Sequence, residues 1–124
     1  MISETPLQFY IKFYENLYQY RKTDKNLINL LSNLYAQAGD IESSTKMDQE
    51  QVNLEPENPV THYNLACDFS LQGKTEDAIR ELQSALELGY CDYQWIRDDI
   101  DLDSIRETDE FKSTLSKYFQ HFNY

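Results

Sequence analysis

Apolar residues recur along most of this chain with the three- and four-residue spacing of amphipathic helices. The pattern is clearest between residues 59 and 92, where the apolar residues at this spacing are Leu65, Phe69, Ile79, Leu82, Leu86 and Leu88. Asn58 and Pro59 predict the start of a helix there, because asparagine caps helix N-termini and proline suits the first turn. Gly73 predicts the end of that helix, since glycine accepts the left-handed backbone of the C′ position. The segment therefore predicts two helices joined by a tight turn.

The same pattern returns at an interval of 34 residues. At this offset the stretch "LLSNLYAQAGD" (30–40) aligns with "NLACDFSLQGK" (64–74). The aligned pairs are Leu31 and Leu65, Tyr35 and Phe69, and Gly39 and Gly73. A fixed period of this length indicates repeated copies of one supersecondary unit. Each unit is predicted to hold two helices.

This period and the residues that share it resemble the tetratricopeptide repeat family. Residues 59–92 match best, at the family's signature packing positions Leu65, Ala66, Phe69, Gly73, Ala78, Leu82 and Ala85. Residues 25–58 match in their first helix and at Pro56. Their second helix departs from the family pattern at Ser44, Asp48 and Gln51. That departure leaves open the length and burial of a helix near residues 41–54.

The resemblance implies an all-α fold, a short helical-repeat solenoid of antiparallel helix pairs in a right-handed superhelix. A single domain is expected over residues 1–124. An N-terminal helix at 5–22 opens with a Thr5-x-x-Gln8 capping box. A C-terminal capping segment at 93–124 is expected to close the array, since repeat arrays need terminal caps. Its predicted apolar stripe is Phe111, Leu115, Tyr118, Phe119 and Phe122.

Aromatic residues crowd the predicted N-terminal helix. One face carries Phe9, Phe13, Leu17 and Tyr20, and beside it lie Tyr10, Tyr14 and Tyr18. One face is expected to cover the first repeat, which leaves the second for a groove contact or an exposed patch. Homodimerisation through the three tyrosines at positions 10, 14 and 18 is one hypothesis for this second face.

Acidic residues outnumber basic ones, with 22 Asp and Glu against 11 Lys and Arg and a net charge of −11. Residues 1–38 hold four of the basic and three of the acidic residues, a net charge of +1, so the remainder carries −12. Because no basic stripe is present to neutralise phosphates, nucleic acid and anionic membrane surfaces are not expected partners. An electrostatically steered partner would be basic and would approach the C-terminal two-thirds of the chain.

The sequence predicts a cytoplasmic location. Cys67 and Cys91 do not make a disulfide framework, and a reducing compartment is the simplest one for such a chain. The stretch "MISETPLQFY" lacks the basic and apolar regions of a signal peptide. No apolar run approaches transmembrane length.

One acidic stretch raises the question of calcium. The segment "DDIDLDSIRETDE" has the ligand spacing of an EF-hand loop at Asp99, Asp101, Asp103 and Glu110. That loop needs a glycine at its sixth position and usually an apolar residue at its eighth, and Ser104 and Arg106 stand there. No metal site is therefore predicted.

A structural role explains more of the same residues. Residues 88–111 resemble the segment that follows the last repeat in many bacterial tetratricopeptide proteins. The resemblance implies that three apolar side chains point inward, namely Ile100, Leu102 and Ile105. It also implies that the aspartates cap turns or pair with Arg97 and Arg106.

The sequence predicts no enzyme and no cofactor. The histidines are His62 and His121, and neither has a partner at metal-ligand spacing. No phosphate-binding glycine loop or nucleophile motif occurs. Cys67 and Cys91 are predicted to be small buried residues, because nothing basic nearby in the sequence activates either thiol.

The resemblance implies a binding face on the first helix of each repeat. The predicted partner-binding residues are Asn29, Asn33, Gln37, Tyr63, Asn64, Cys67 and Ser70. Asn33 and Asn64 match asparagines of the chaperone-type clamp that holds an acidic C-terminal peptide. The basic residues of that clamp do not match, since Asn29, Gln94 and Asp98 stand in their places. An acidic peptide is therefore rejected as the groove ligand.

The predicted function is non-catalytic protein–protein interaction, as an adaptor or assembly factor that binds a peptide or helix of a partner. The predicted groove is uncharged and the protein surface around it is acidic, which suits a partner with polar and basic residues. Two alternatives stay open. In the first, the chain is a dedicated chaperone for a secreted or assembled substrate. In the second, it is a self-oligomerising structural protein.

Overall fold

The chain folds into helices throughout the part that the structure describes. The computed structural model describes residues 3–120, which form eight α-helices and one short 3-10 helix, with no strand among them. They divide into two compact units, an N-terminal unit up to Pro56 and a C-terminal unit from Glu57 onward. The predicted all-α class is confirmed. Within residues 3–120 no helix is long and apolar enough to cross a membrane.

The N-terminal unit consists of α1 (Pro6–Tyr18), α2 (Lys25–Gln37) and α3 (Ile41–Leu54). The predicted capping box starts α1, with the Gln8 amide donating to Thr5 Oγ1 at 3.1 Å and the Thr5 amide donating to Gln8 Oε1 at 2.9 Å. The helix ends at Tyr18 instead of continuing to residue 22. α1 packs against α2, whose buried residues in this core are Leu27, Leu31 and Tyr35.

α3 forms over its full length although polar residues occupy its inward positions. Ser44 and Asp48 are buried, with 2% and 6% of their surface exposed. Ser32 Oγ of α2 donates to Asp48 Oδ1 at 2.6 Å, and Ser44 Oγ donates to the Ser32 carbonyl at 3.2 Å. Buried polar groups are tolerated when they are hydrogen-bonded. A polar network between α2 and α3 therefore takes the place of apolar packing here.

The C-terminal unit is built on the helix pair α4 (Pro59–Leu71) and α5 (Thr75–Glu87). Asn58 caps α4 as predicted, because its Oδ1 accepts from the Val60 amide at 2.9 Å. Gly73 ends this helix as predicted, at a φ of 74° in the left-handed region that favours glycine. The small side chains that let the two helices approach closely are all fully buried, namely Ala66, Ala78 and Ala85.

The C-terminal capping segment contains α6 (Tyr93–Asp98), the 3-10 helix (Ile100–Leu102), α7 (Asp103–Arg106) and α8 (Asp109–Tyr118). It completes the core of the C-terminal unit with Tyr93, Ile96, Leu102, Ile105, Phe111, Leu115 and Phe119. Tyr118 packs partly buried against this core, and Phe122 lies outside the described residues.

Two of the three apolar residues that were predicted to point inward in this segment do so. Leu102 and Ile105 are fully buried, but the prediction for Ile100 is wrong, since 77% of its surface is exposed. Successive residues of a 3-10 helix lie a third of a turn apart. Ile100 and Leu102 therefore face different directions, and only Leu102 meets the core.

The charged residues of the capping segment have the structural roles expected of them. Asp99 caps the 3-10 helix, with its Oδ1 accepting from the Asp101 amide at 3.0 Å. Arg97 pairs with Asp98 at 3.1 Å, and Arg106 pairs with Asp103. Asp98, Asp99 and Asp103 of the acidic run are thus used for ion pairs and a cap.

Candidate functional site

One half of the predicted groove is exposed on α2. Asn29, Asn33 and Gln37 are spaced four residues apart, which places them along one face of the helix, and all three are exposed. Asn29 Oδ1 accepts a hydrogen bond from Gln51 Nε2 of α3 at 3.3 Å. We call these three residues the polar strip. Their amide groups can donate to and accept from a peptide backbone.

The other half of the predicted groove is covered by the chain itself. Tyr63, Cys67 and Ser70 of α4 are buried, with 3%, 7% and 1% of their surface exposed, and Asn64 is half-buried. The prediction that Tyr63 and Ser70 are exposed groove residues is therefore wrong, whereas the burial predicted for Cys67 is observed. The reason is that the 3-10 helix and α7 of the capping segment both contact α4.

Polar contacts fix the capping segment on α4. The Tyr63 hydroxyl donates to Asp99 Oδ2 at 2.6 Å, and Ser104 Oγ donates to the Ser70 carbonyl at 2.7 Å. The Tyr63 ring also stacks on the Tyr90 ring, with centroids 4.4 Å apart and planes 8° from parallel. Side chains that were predicted to bind a partner thus contact other residues of the C-terminal unit.

Burial and neighbouring carboxylates change the proton affinities of this cluster. Burial raises the pKa of the Cys67 thiol, and the nearby Asp99 and Asp101 raise it further. Burial likewise raises the pKa of the Tyr63 hydroxyl and, together with Asp92, raises the pKa of Tyr90 to about 12. The neutral thiol and phenol forms are therefore favoured, and Cys67 is not an activated nucleophile.

One group of side chains within residues 3–120 has atoms close enough to hold a metal ion. The ligand atoms of Cys67, Asp99 and Asp101 lie within 4.8 Å of one another. Asp99 Oδ2 already accepts from the Tyr63 hydroxyl, and the Cys67 thiol lies 3.6 Å from the same oxygen. Calcium binds oxygen ligands, and the other two acidic residues of the EF-hand spacing, Asp103 and Glu110, are outside this group. The arrangement is a hydrogen-bonded cap and does not reproduce a calcium loop.

His62 has a structural contact between the helices of the C-terminal unit. Its Nδ1 lies 2.7 Å from Glu81 Oε2, which joins α4 to α5. His121, the other histidine of the sequence, lies outside the described residues. Cys91 differs from its prediction, because it is exposed in the connection between α5 and α6 and is not a buried packing residue.

An aromatic face is exposed on α1. Phe9, Tyr10 and Phe13 expose 53%, 49% and 54% of their surface. The rings of Phe9 and Phe13 stack with centroids 6.4 Å apart, and the Tyr10 ring meets the Phe9 ring edge-on at 5.8 Å. We call these three residues the aromatic face. Among the described residues up to Pro56, the other large hydrophobic side chain that is exposed is Tyr20, which lies outside α1.

The inner face of α1 uses residues that were assigned to self-association. Ile11, Tyr14, Leu17 and Tyr18 pack against the core of the N-terminal unit. Tyr14 and Tyr18 are therefore half-buried within the unit, and of the three tyrosines proposed for a homodimer only Tyr10 belongs to the exposed face. The three- and four-residue spacing that starts at Ile11 was the sequence signal that separates the two faces.

Comparison with known proteins gives a weak similarity. No family model matches the chain. A protein of Arabidopsis thaliana whose name describes it as chloroplastic is similar to it, with 27% identity over 124 residues. The similarity covers 98% of this chain and 36% of that protein. The chain thus spans little more than a third of the length of this relative.

Proposed function

We propose that this chain is a non-catalytic protein-interaction module, built as a short tetratricopeptide-like solenoid and acting as an adaptor or assembly factor. The observation that carries the proposal is the aromatic face of α1, where Phe9, Tyr10 and Phe13 are each about half exposed. Aromatic residues, phenylalanine among them, are enriched in protein interfaces relative to the rest of the protein surface. Grouped on one helix, they give a partner a continuous apolar anchor.

Two features support the repeat architecture. Each of the helix pairs α2–α3 and α4–α5 packs together across a short turn. The turns contain Gly39 and Gly73 at φ values of 76° and 74°, so the two pairs change direction with nearly the same backbone geometry. Similar pairs in tandem are the basis of a helical-repeat array. The function then follows partly by analogy with such arrays.

The surroundings of the aromatic face favour a partner that binds mainly through apolar contacts. Lys12 of the same helix pairs with Glu4 at 2.7 Å, so this part of the surface is close to neutral. The polar strip of α2 adds amide groups that suit a peptide or helix backbone. We infer that the partner supplies an apolar segment, and that basic residues of the partner would be drawn to the acidic remainder of the chain.

Affinity capture with matched variants tests this proposal. The intact chain is used as bait in native lysate, washed at low and high salt, and the bound proteins are identified by mass spectrometry. We expect a stoichiometric partner that the wild type retains and a Phe9→Ser/Phe13→Ser variant loses. Tyr20→Ser is the matched control, because Tyr20 is 88% exposed and lies outside α1. Retention of the partner by the double variant would contradict the assignment of the aromatic face.

Self-association is the second outcome that the same face allows. Sedimentation of the pure protein distinguishes it from an adaptor function. If the wild type is a dimer and the Phe9→Ser/Phe13→Ser variant is a monomer, the aromatic face serves homodimerisation and not an adaptor function. An Asn33→Ala/Gln37→Ala variant separates the polar strip from the aromatic face, since it removes amide groups and leaves the aromatic rings unchanged.

The proposed location is the cytoplasm, as the sequence predicts. The name of the similar Arabidopsis protein gives a chloroplast location for that protein. Fluorescence imaging of the tagged chain in its own cells distinguishes the two compartments.

A further inference from the structure

A cavity of about 470 Å³ opens on the C-terminal unit among α6, α7 and α8. Its apolar lining consists of Tyr93, Phe111 and Leu115, which are 4%, 2% and 4% exposed. Arg97, Arg106, Lys112 and Glu107 complete the lining. Neither the aromatic face nor the polar strip contributes to it. The volume lies within the range of about 300–1,000 Å³ that is usual for small-ligand pockets.

The charge of the cavity is opposite to that of the unit around it. The sequence from residue 57 onward contains 14 acidic and six basic residues. Three of these six basic residues line the cavity, against one of the 14 acidic residues. A concave site with apolar walls concentrates the field of the charges that line it. Each of these three cations is paired with an acidic side chain, namely Asp98, Asp103 or Glu107, so an anionic ligand is favoured where it can displace an exposed partner.

Arg97 and Lys112 are the cations that a ligand can reach. Their side chains are 50% and 55% exposed, and each pairs with an exposed acidic neighbour, Asp98 at 3.1 Å and Glu107 at 3.2 Å. Exposed pairs of this kind are weak. A ligand carboxylate can therefore compete with Asp98 and Glu107 for these two cations.

Arg106 is held in place more firmly. Its Nη2 donates to the Ile96 carbonyl at 3.1 Å and to the Asp99 carbonyl at 2.6 Å. Its Nε is buried and has no hydrogen-bond partner within the described part of the chain. Backbone contacts and the pair with Asp103 thus fix this guanidinium in the cavity lining, and its buried Nε is out of reach of a ligand.

We propose that this cavity binds a small organic carboxylate with one negative charge and an aromatic or branched aliphatic body. The body packs against the aliphatic stems of Arg97 and Lys112 and the small exposed parts of Tyr93, Phe111 and Leu115, and the carboxylate pairs with the charged ends of Arg97 and Lys112. A single charge is specified because the acidic surface repels ions of higher charge. This site lies in the C-terminal unit and is independent of the protein-interaction function proposed for the N-terminal unit.

The test uses 3-phenylpropionate as the probe and the full chain as the protein. Backbone amide shifts in ¹H–¹⁵N NMR spectra are followed during the titration. We expect saturable shifts at residues 93, 97 and 111–115, with an affinity that falls as salt is added. The neutral 3-phenylpropanamide should bind about tenfold more weakly, because it lacks the charge-assisted contact. Acetate should also bind more weakly, because it lacks the apolar body.

Matched variants decide whether the lining cations are responsible. Arg97→Gln/Lys112→Gln should lower the affinity for 3-phenylpropionate about tenfold, as expected for lost charge-assisted contacts. Lys117→Gln should leave it unchanged, since Lys117 lies on the same helix as Lys112, carries the same charge and is outside the cavity lining. Circular dichroism of the variants verifies that they fold.

Four outcomes would overturn the proposal. They are the absence of saturable shifts in the wild type, equal affinity for the acid and the amide, equal losses in the double variant and Lys117→Gln, and binding by a peptide with a C-terminal phenylalanine carboxylate but not by the free acid. The last outcome would assign the cavity to a chain terminus of a partner protein.

Discussion

The hydroxyl of Tyr63 donates a hydrogen bond of 2.6 Å to the carboxylate of Asp99, which lies 36 positions later in the sequence. The other carboxylate oxygen of Asp99 accepts from the Asp101 amide and caps the 3-10 helix. One acidic side chain therefore orders the start of the 3-10 helix and also fixes it on α4. This double role explains why the α4 face is closed and why an aspartate is needed at position 99.

Replacing Tyr63 by phenylalanine tests the contribution of this hydrogen bond. The ring and its stacking on Tyr90 are kept, but Asp99 Oδ2 loses its hydroxyl donor. A hydrogen bond to a charged, partly buried group contributes roughly 1.5–3 kcal/mol. We expect Tyr63→Phe to lower the free energy of unfolding by about that amount in urea denaturation. Tyr10→Phe is the control and should change it little, because Tyr10 is 49% exposed. Equal effects of the two substitutions would contradict a specific role of the Tyr63–Asp99 bond.

The two cysteines are predicted to differ sharply in reactivity. Cys91 is exposed, whereas Cys67 is buried beside Asp99 and Asp101, which with burial raise the pKa of its thiol. Because the thiolate is the reactive form, an Ellman titration of the native protein should show one fast thiol, and the second should react only after unfolding in urea. Cys91→Ser should abolish the fast phase. If Cys67→Ser abolished it instead, the burial of Cys67 under the capping segment would be wrong.

Local signals in the sequence predicted local structure well. The capping box at Thr5 and the helix end at Gly73 are each decided by residues within a few positions, and both are confirmed. The residues that cover a helix face can lie far away in the sequence. Helical spacing showed that Tyr63, Cys67 and Ser70 share a face, but it does not show that residues more than 30 positions later lie over that face.

The same limit applies to the candidate sites. On α1 the spacing permitted two apolar faces, and only packing against α2 determines that Tyr14 is inside and Phe13 outside. The lining of the cavity combines Arg97, Arg106 and Lys112 from three separate helices. Dispersed in an acidic sequence, these residues form no motif, so only the fold brings them together.

The polar network between α2 and α3 gives a prediction about the N-terminal unit. Ser32→Ala removes the donor to the buried Asp48 and should lower the free energy of unfolding by about 1–3 kcal/mol. Ser32→Ala/Asp48→Leu replaces both partners by apolar groups, which removes the unsatisfied carboxylate, so it should be more stable than Ser32→Ala alone. Urea denaturation measures both variants. Ser116→Ala, on the exposed surface of α8, is the control for the serine-to-alanine change itself. A double variant less stable than Ser32→Ala would show that the network is not replaceable by apolar packing.

Asp101 is the acidic residue of the capping segment whose charge is expected to destabilise the fold. Burial raises the pKa of its carboxyl group above the ordinary value of 3.8, and the neighbouring Asp99 and Asp103 raise it further. The ionised form is therefore disfavoured in the folded state relative to the unfolded state. Asp101→Asn removes that charge at nearly constant shape and should raise the free energy of unfolding at neutral pH. Because the site is partly exposed to solvent and screened, we expect about 0.5 kcal/mol, which corresponds to roughly 2 °C in Tm.

The pH dependence of this effect separates it from other causes. Above the raised pKa, Asp101 is ionised in both the folded and the unfolded state, and its charge destabilises the folded state to the full extent. At neutral pH the free energy of unfolding of Asp101→Asn should therefore exceed that of the wild type by the full amount. As pH falls through the raised pKa, the folded wild type takes up a proton first, and below the unfolded value both states are protonated. The difference between wild type and Asp101→Asn should therefore vanish in acid. Asp98→Asn removes the same charge from an exposed neighbour that pairs with Arg97, so it should give no such gain. Equal stabilisation by the two substitutions would mean that net charge, and not the setting of Asp101 in the capping segment, controls stability here.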